Sequence, residues 1–232
     1  MKWVFLPGLD GAGEFFEPFL KFLPSEIEPL VFAYPARENL DYDELLEWVL
    51  PQLPENEPFL VVAESFGGPL AVKLTRSEPK GMVGAVVSAS FIRSPLPSFL
   101  RFGPVESFFR LPFPNAFVRW LLADSDAGSE IFALFDRVIR YSSPEVLADR
   151  ARSALTVDVT DELKECRLPL LFFDGTCDRL IPRSAMEYVR KLRSDLPVLS
   201  VDGPHFLLQL EPEKCLREIN RFLDRVLEVK DE

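Results

Sequence analysis

Phe59-Leu-Val-Val-Ala-Glu-Ser65-Phe-Gly-Gly-Pro-Leu-Ala71 is the stretch from which the fold can be read. Phe59 to Ala63 is a short apolar run of strand length, as expected of a strand covered on both faces. From Gly67 onward the composition suits a helix, with Pro69 in the first turn, where a missing N–H costs nothing. Between them stands Ser65, with Ala63 two residues before it and Gly67 two residues after. A strand that turns sharply into a helix needs small side chains at those two places, because bulk there would collide with its neighbours. The turn lifts the serine out at the strand end, and the free N–H groups of the helix N-terminus face a reacting oxygen. The plain alternative is a serine that merely caps a helix, so the rest of the chain must supply partners for it.

Outward from this stretch, similar apolar runs recur at Lys2–Leu6, Leu30–Ala33, Val83–Ser88, Pro169–Phe173 and Val198–Val201. Amphipathic stretches lie between them. In Asp41–Leu53 the residues Leu45, Leu46, Val49 and Leu53 share one helical face, and Leu216, Ile219, Leu223, Val226 and Leu227 do the same near the end. Strand and helix in alternation specify an α/β fold with a mostly parallel sheet, here of about six strands.

One segment breaks the alternation. From about Phe91 to Asp161 there is no convincing strand, and prolines and aromatic residues crowd together. A loop of that length is improbable inside a compact domain, so a helical insertion is expected. The chain therefore divides into a core domain, 1–90 with 162–232, and a helical cap or lid, 91–161. The aromatic rings either add core or line an apolar pocket. Phe91, Phe99, Phe108, Phe113 and Phe132, with Phe206 from the core, are the candidate pocket residues.

A serine nucleophile needs a base, and the chain has one histidine. His205 lies in Val201-Asp-Gly-Pro-His-Phe, after the last strand, where open α/β sheets place their sites. An imidazole titrates near neutrality and can take and return a proton. A carboxylate should orient it. Asp178 sits in a turn after the penultimate strand, and Asp174 and Asp202 are its rivals. The glycine-rich turn Leu6-Pro-Gly-Leu-Asp-Gly-Ala-Gly13 follows the first strand. Its glycines do not form G-x-G-x-x-G, and no Walker lysine follows. Backbone N–H groups of Leu9 and Phe66 are instead placed to form an oxyanion hole.

These motifs, Leu6-Pro-Gly-Leu-Asp-Gly, Ala63-Glu-Ser-Phe-Gly-Gly, Gly175-Thr-Cys-Asp-Arg-Leu-Ile-Pro and Gly203-Pro-His-Phe, resemble the α/β-hydrolase family across nearly the whole chain. The order Ser, Asp, His is the one associated with that fold. The resemblance implies that the Gly-x-x-Asp-x-x-x-Pro turn carries the acid, which favours Asp178 over Asp174. It also implies a subset of esterases, lipases and thioesterase-like enzymes, some of which transfer acyl groups to alcohols. Pro7 departs from the histidine of many oxyanion loops, so that loop's outer hydrogen bonds must differ. Ala63 replaces a glycine but is still small. The chain opens at what would be the family's third strand, so the usual first two strands are expected to be missing.

Composition narrows the function further. The 232 residues carry a formal net charge of −11, the wrong sign for a nucleic-acid surface. No run reaches the roughly 18 to 20 apolar residues of a membrane span. The opening Met1–Leu9 breaks at Pro7-Gly8 without a signal cleavage site. Three cysteines lack metal-like spacing and suit a reducing, cytoplasmic setting. The expectation is a serine carboxylesterase acting on a small ester with an apolar part, needing no cofactor or metal. Acyl transfer or thioester cleavage by the same triad is the alternative. A ligand-binding protein without turnover would show a damaged triad, and none is visible.

Overall fold

The structure, a computed structural model, describes residues 1–110, 115–123 and 128–228. Six strands form one all-parallel sheet: β1 (Lys2–Leu6), β2 (Glu28–Val31), β3 (Phe59–Glu64), β4 (Met82–Ser88), β5 (Leu170–Gly175) and β6 (Val198–Val201). Their order across the sheet is β2-β1-β3-β4-β5-β6. The chain passes from β1 to β2 on one side, then returns to lay β3 on the other side of β1. That reversal opens a crevice at the carboxyl ends of β1 and β3, the usual place for a site in such sheets.

The helices up to the fourth strand are α1 (Glu17–Leu20), α2 (Tyr42–Val49) and α3 (Gly67–Ser77). Between β4 and β5 come α4 (Val105–Arg110), α5 (Asn115–Leu122), α6 (Ser129–Val138), α7 (Pro144–Ala154) and α8 (Thr160–Glu165). The remainder are α9 (Arg183–Leu192), α10 (Leu207–Leu210) and α11 (Pro212–Glu228).

Alternate residues of the central strands point to opposite faces, and both faces are buried. Val4, Val61, Ala85 and Phe172 pack under α2, α3 and α9. Phe5, Val62, Val86 and Phe173 pack under α1 and α11. This explains why the strands read as continuous apolar runs rather than alternating ones.

Two elements differ from the expected bounds. The edge strand β2 covers Glu28–Val31 rather than 30–33, because pairing of Lys2 with Glu28 and Phe5 with Val31 sets its register. Helix α2 ends at Val49, short of Leu53, because Pro51 cannot donate to a helical turn and the chain tightens into a 3₁₀ turn there. Its start is fixed by a capping box, in which Asp41 accepts from the Asp43 and Glu44 amides and Glu44 accepts from the Asp41 amide.

The segment between β4 and β5 leaves and rejoins the sheet at one stem. The Ser94 amide donates to the Val157 carbonyl at 3.0 Å, and the Val159 amide to the Ile92 carbonyl at 2.8 Å. The expected boundary at 161 falls inside α8. This helix lies against α3, with Lys73 to Glu162 at 3.0 Å and Arg76 to Glu165 at 2.8 Å.

Candidate active site

Ser65 adopts φ +50°, the left-handed region that a non-glycine residue enters only at a cost of about 1–3 kcal/mol. Its surroundings hold it there. The Ser65 amide donates to the Ser88 carbonyl at 2.9 Å, and the Ser90 hydroxyl donates to the Ser65 carbonyl. A Cβ at Gly67 would stand 2.6 Å from the Leu6 carbonyl oxygen. One at Gly68 would stand 1.9 Å from Ser90 Oγ. Only glycines let the start of α3 press so closely on β1 and on the loop after β4.

The loops after β5 and β6 are locked together. Thr176 N–H donates to the Val201 carbonyl at 2.9 Å, and Cys177 N–H to the Gly203 carbonyl at 3.0 Å. A side chain at Gly175 would strike the Gly203 and Pro204 carbonyls, both 2.6 Å from its Cβ position. This close approach brings Asp178 to His205. The imidazole Nδ1 lies 2.8 Å from Asp178 Oδ2, and its Nε2 lies 3.1 Å from Ser65 Oγ. Asp178 Oδ1 accepts from the amides of Leu180 and Ile181, at 2.8 and 2.9 Å.

The carboxylate selects the tautomer with the proton on Nδ1, which leaves the Nε2 lone pair facing the serine hydroxyl. Burial opposes charge on both groups, and their mutual attraction outweighs it. His205 is raised above its ordinary value, because the charge and hydrogen bond of Asp178, with help from Glu64, overcome desolvation. Asp178 is lowered, because His205 and the two loop amides likewise overcome its burial.

The two rival carboxylates lie elsewhere. Asp202 accepts from the Thr176 hydroxyl at 2.9 Å and shapes the turn. Asp174 faces the Arg190 guanidinium at 3.8 Å.

The loop after β1 reaches the serine. A Cβ at Gly8 would lie 3.8 Å from Ser65 Cβ, and Gly8 and Leu9 line the same cavity as Ser65. Phe66, at the N-terminus of α3, is fixed from behind by Tyr42, whose hydroxyl donates to the Phe66 carbonyl at 3.0 Å and whose ring stacks on it.

A cavity of about 180 Å³ opens over Ser65 and His205. Of the residues expected to line it, Phe108 and Phe206 do. Phe91 is buried away from it, Phe99 is largely exposed to solvent, and Phe132 does not line it but is buried behind its wall, in the apolar cluster that includes Phe15 and Phe206. Phe113 lies outside the described residues. The wall is completed by Phe15, Phe135, Leu121, Leu122 and Ile139, with Leu180 near the acid. The rings of Phe15 and Phe206 meet edge to face at 4.6 Å. Phe15 could have been suspected, since it follows the glycine turn at a strand's carboxyl end.

Glu64 was not anticipated. It lines the cavity yet is buried, accepting from Gln209 Nε2 at 2.9 Å. Burial pushes it up to about 7, against the Gln209 hydrogen bond and the attraction of His205. A charged residue at the end of an otherwise apolar strand was the available signal. Among the described residues no group of three or more His, Cys, Asp or Glu side chains could hold a metal ion.

Residues 3–218 match the sequence profile of the alpha/beta hydrolase family. The chain belongs to that family. This alpha/beta hydrolase is 31% identical over 84 residues to 2-(acetamidomethylene)succinate hydrolase of Mesorhizobium japonicum, covering 36% of this chain and 30% of that protein. It is 31% identical over 127 residues to the chloroplastic phytyl ester synthase 1 of Arabidopsis thaliana, covering 50% of this chain and 18% of that protein. The chain thus spans less than a third of the length of either curated relative. A thermophilic esterase from Thermogutta terrifontis superposes with a TM-score of 0.78 at 18% identity, over 97% of this chain and 90% of that one. At that identity the likeness is one of fold. Among the described residues no helix is long and apolar enough to cross a membrane.

Proposed function

We propose that this alpha/beta hydrolase is a serine esterase that cleaves carboxylic esters with an apolar acyl or alcohol part through an acyl-enzyme on Ser65. The observation that carries this reading is the hydrogen-bonded chain Ser65–His205–Asp178 at the mouth of an aromatic cavity. In this reading residues 91–161 form a cap whose aromatic side chains cover the substrate.

The chemistry follows from the geometry. His205 Nε2 takes the Ser65 proton as Oγ attacks the ester carbonyl carbon, and the Leu9 and Phe66 N–H groups hold the resulting oxyanion. Asp178 stays ionised and stabilises the imidazolium. Collapse expels the alcohol, which receives its proton from Nε2, and leaves the acyl group on Oγ. Water then gives a proton to Nε2 and attacks the acyl carbon; the Oγ–acyl bond breaks, the acid leaves, and Nε2 returns the proton to Ser65 Oγ.

The same apparatus passes the acyl group to an alcohol when one occupies the water's place. The 31% identity to a phytyl ester synthase over half of this chain favours that second reading. Release of p-nitrophenol from a medium-chain ester tests the first half-reaction, and it should fall by several orders of magnitude in Ser65→Ala. Adding an alcohol and measuring new ester against free acid separates transfer from hydrolysis.

A further inference from the structure

Pro7 offers the loop after β1 no side-chain hydrogen bond; the bonds that hold its shape come from within the turn and from Arg150. Gly8, Leu9, Asp10 and Gly11 form a tight turn closed by the Gly11 amide on the Gly8 carbonyl at 3.1 Å, with Gly11 at φ +73°. Because a peptide unit is planar and trans, the Leu9 N–H points opposite to the Gly8 carbonyl, away from the turn's interior. Holding this turn in shape therefore aims the Leu9 N–H.

A buried guanidinium grips the two central residues. Arg150, on α7, is 2% exposed. Its Nη1 donates to the Leu9 carbonyl at 3.1 Å, the Asp10 carbonyl at 2.9 Å and the Ser142 hydroxyl at 2.9 Å. Its Nη2 donates to the Pro35 carbonyl at 2.9 Å. Ser142 in turn donates to the Asp10 carbonyl at 2.8 Å. The fit is close, since a Cβ at Gly11 would stand 2.2 Å from Nη1. Burying a cation is costly unless hydrogen bonds and opposite charge offset it; here four oxygens accept from its two terminal nitrogens, and the Asp10 side chain attracts it.

We propose that Arg150 is the positioning residue of the oxyanion loop, clamping the Leu9 and Asp10 carbonyls so that the Leu9 N–H faces the developing oxyanion. This inference rests on the esterase reading of Ser65. It places part of the hole's support on a helix of the insertion, so the hole is complete only when α7 is seated.

The test compares wild type, Arg150→Lys, Arg150→Ala and Ser142→Ala in hydrolysis of a medium-chain p-nitrophenyl ester. Inhibition by a trifluoromethyl ketone, whose serine adduct carries an oxyanion, is compared with inhibition by the corresponding alkyl alcohol, which makes no adduct. In Arg150→Ala, kcat should fall about 10- to 100-fold with KM nearly unchanged, a part of the roughly 10²- to 10³-fold that a wholly lost donor costs. Affinity for the ketone should fall in parallel while that for the alcohol holds, and millimolar guanidinium should restore part of kcat. Arg150→Lys should be intermediate. Ser142→Ala, which removes one brace and leaves the core intact, should lower kcat about 3- to 10-fold and so tests the clamp even where Arg150→Ala does not fold. Folded variants with kcat and ketone affinity within about twofold of wild type, or losing ketone and alcohol affinity equally, would overturn the proposal. A wild-type enzyme without Ser65-dependent ester hydrolysis would instead remove the reading on which it rests.

Discussion

The His205 imidazole stands 3.1 Å from the Ser65 hydroxyl across 140 residues of chain, and neither side chain reaches the other by its own length. Ser65 is raised by a strained turn pinned to Ser88 and Ser90. His205 is aimed by Asp178, which two loop amides hold in turn. Three preformed connections, after β3, β5 and β6, thus meet at the carboxyl edge of the sheet, and the hydrogen bond costs little further ordering when substrate arrives.

Asp178→Asn should lower kcat about 10⁴-fold, since an amide favours the wrong imidazole tautomer. Asp174→Asn should change kcat less than about threefold, because Asp174 faces Arg190 rather than His205. Steady-state kinetics on both variants checks the assignment, and the opposite ranking would assign the acid to Asp174.

As the proposed base, His205 acts only when neutral, so kcat/KM should fall as pH drops through the His205 pKa. Asp178 and Glu64 raise that pKa, which puts the midpoint of the acidic limb above the ordinary histidine value of 6.5. In Glu64→Gln one of the two supports is gone, and the midpoint should move to lower pH. A limb that stays put in this variant would separate Glu64 from the imidazole.

Glu64 also makes stability depend on pH in an unusual direction. Its folded pKa, about 7, exceeds the ordinary 4.5 of the unfolded chain. Between those values the folded state keeps a proton that the unfolded state has lost, so stability falls as pH rises, by about 3 kcal/mol in all. Below pH 4.5 the penalty is absent, and above pH 7 it is complete. Urea denaturation should therefore find Glu64→Gln more stable than wild type at pH 8, and this advantage should shrink towards pH 5. An advantage independent of pH would contradict the account.

The cavity wall predicts a chain-length preference. Phe15, Phe135, Phe206, Leu122 and Ile139 offer apolar surface at about 25 cal/mol per Å² buried. Esterase activity should rise from acetyl to hexanoyl substrates, and Ile139→Trp should cut the longer ester by about tenfold while sparing acetyl. Activity peaking on acetyl esters would mean the cavity does not take the acyl chain.

What was legible in the sequence follows from where its information is local. Ser65, Asp178 and His205 sit in turns at strand ends, where glycine, proline and small residues are required by the backbone itself. Strands buried on both faces leave an equally plain record, and only the half-exposed edge strand β2 was displaced, by pairing rather than by burial. The cavity leaves little local record in the sequence. A phenylalanine between β4 and β5 looks the same whether it faces solvent, as Phe99 does, backs the cavity wall, as Phe132 does, or lines the cavity, as Phe108 does. Phe15 and Phe135 reach the wall only through the packing of α6 on the turn after β1. Arg150 reads as an ordinary polar position of α7, and its burial appears only when the loop carbonyls surround it.

The proposed mechanism depends above all on formation of an acyl-enzyme at Ser65. Intact-mass and peptide mass spectrometry after treatment with an alkyl fluorophosphonate reads it directly. A single adduct confined to the peptide containing Ser65, and absent from Ser65→Ala, is the expected result. No adduct on the folded wild type, or an adduct that persists in Ser65→Ala, would contradict the mechanism.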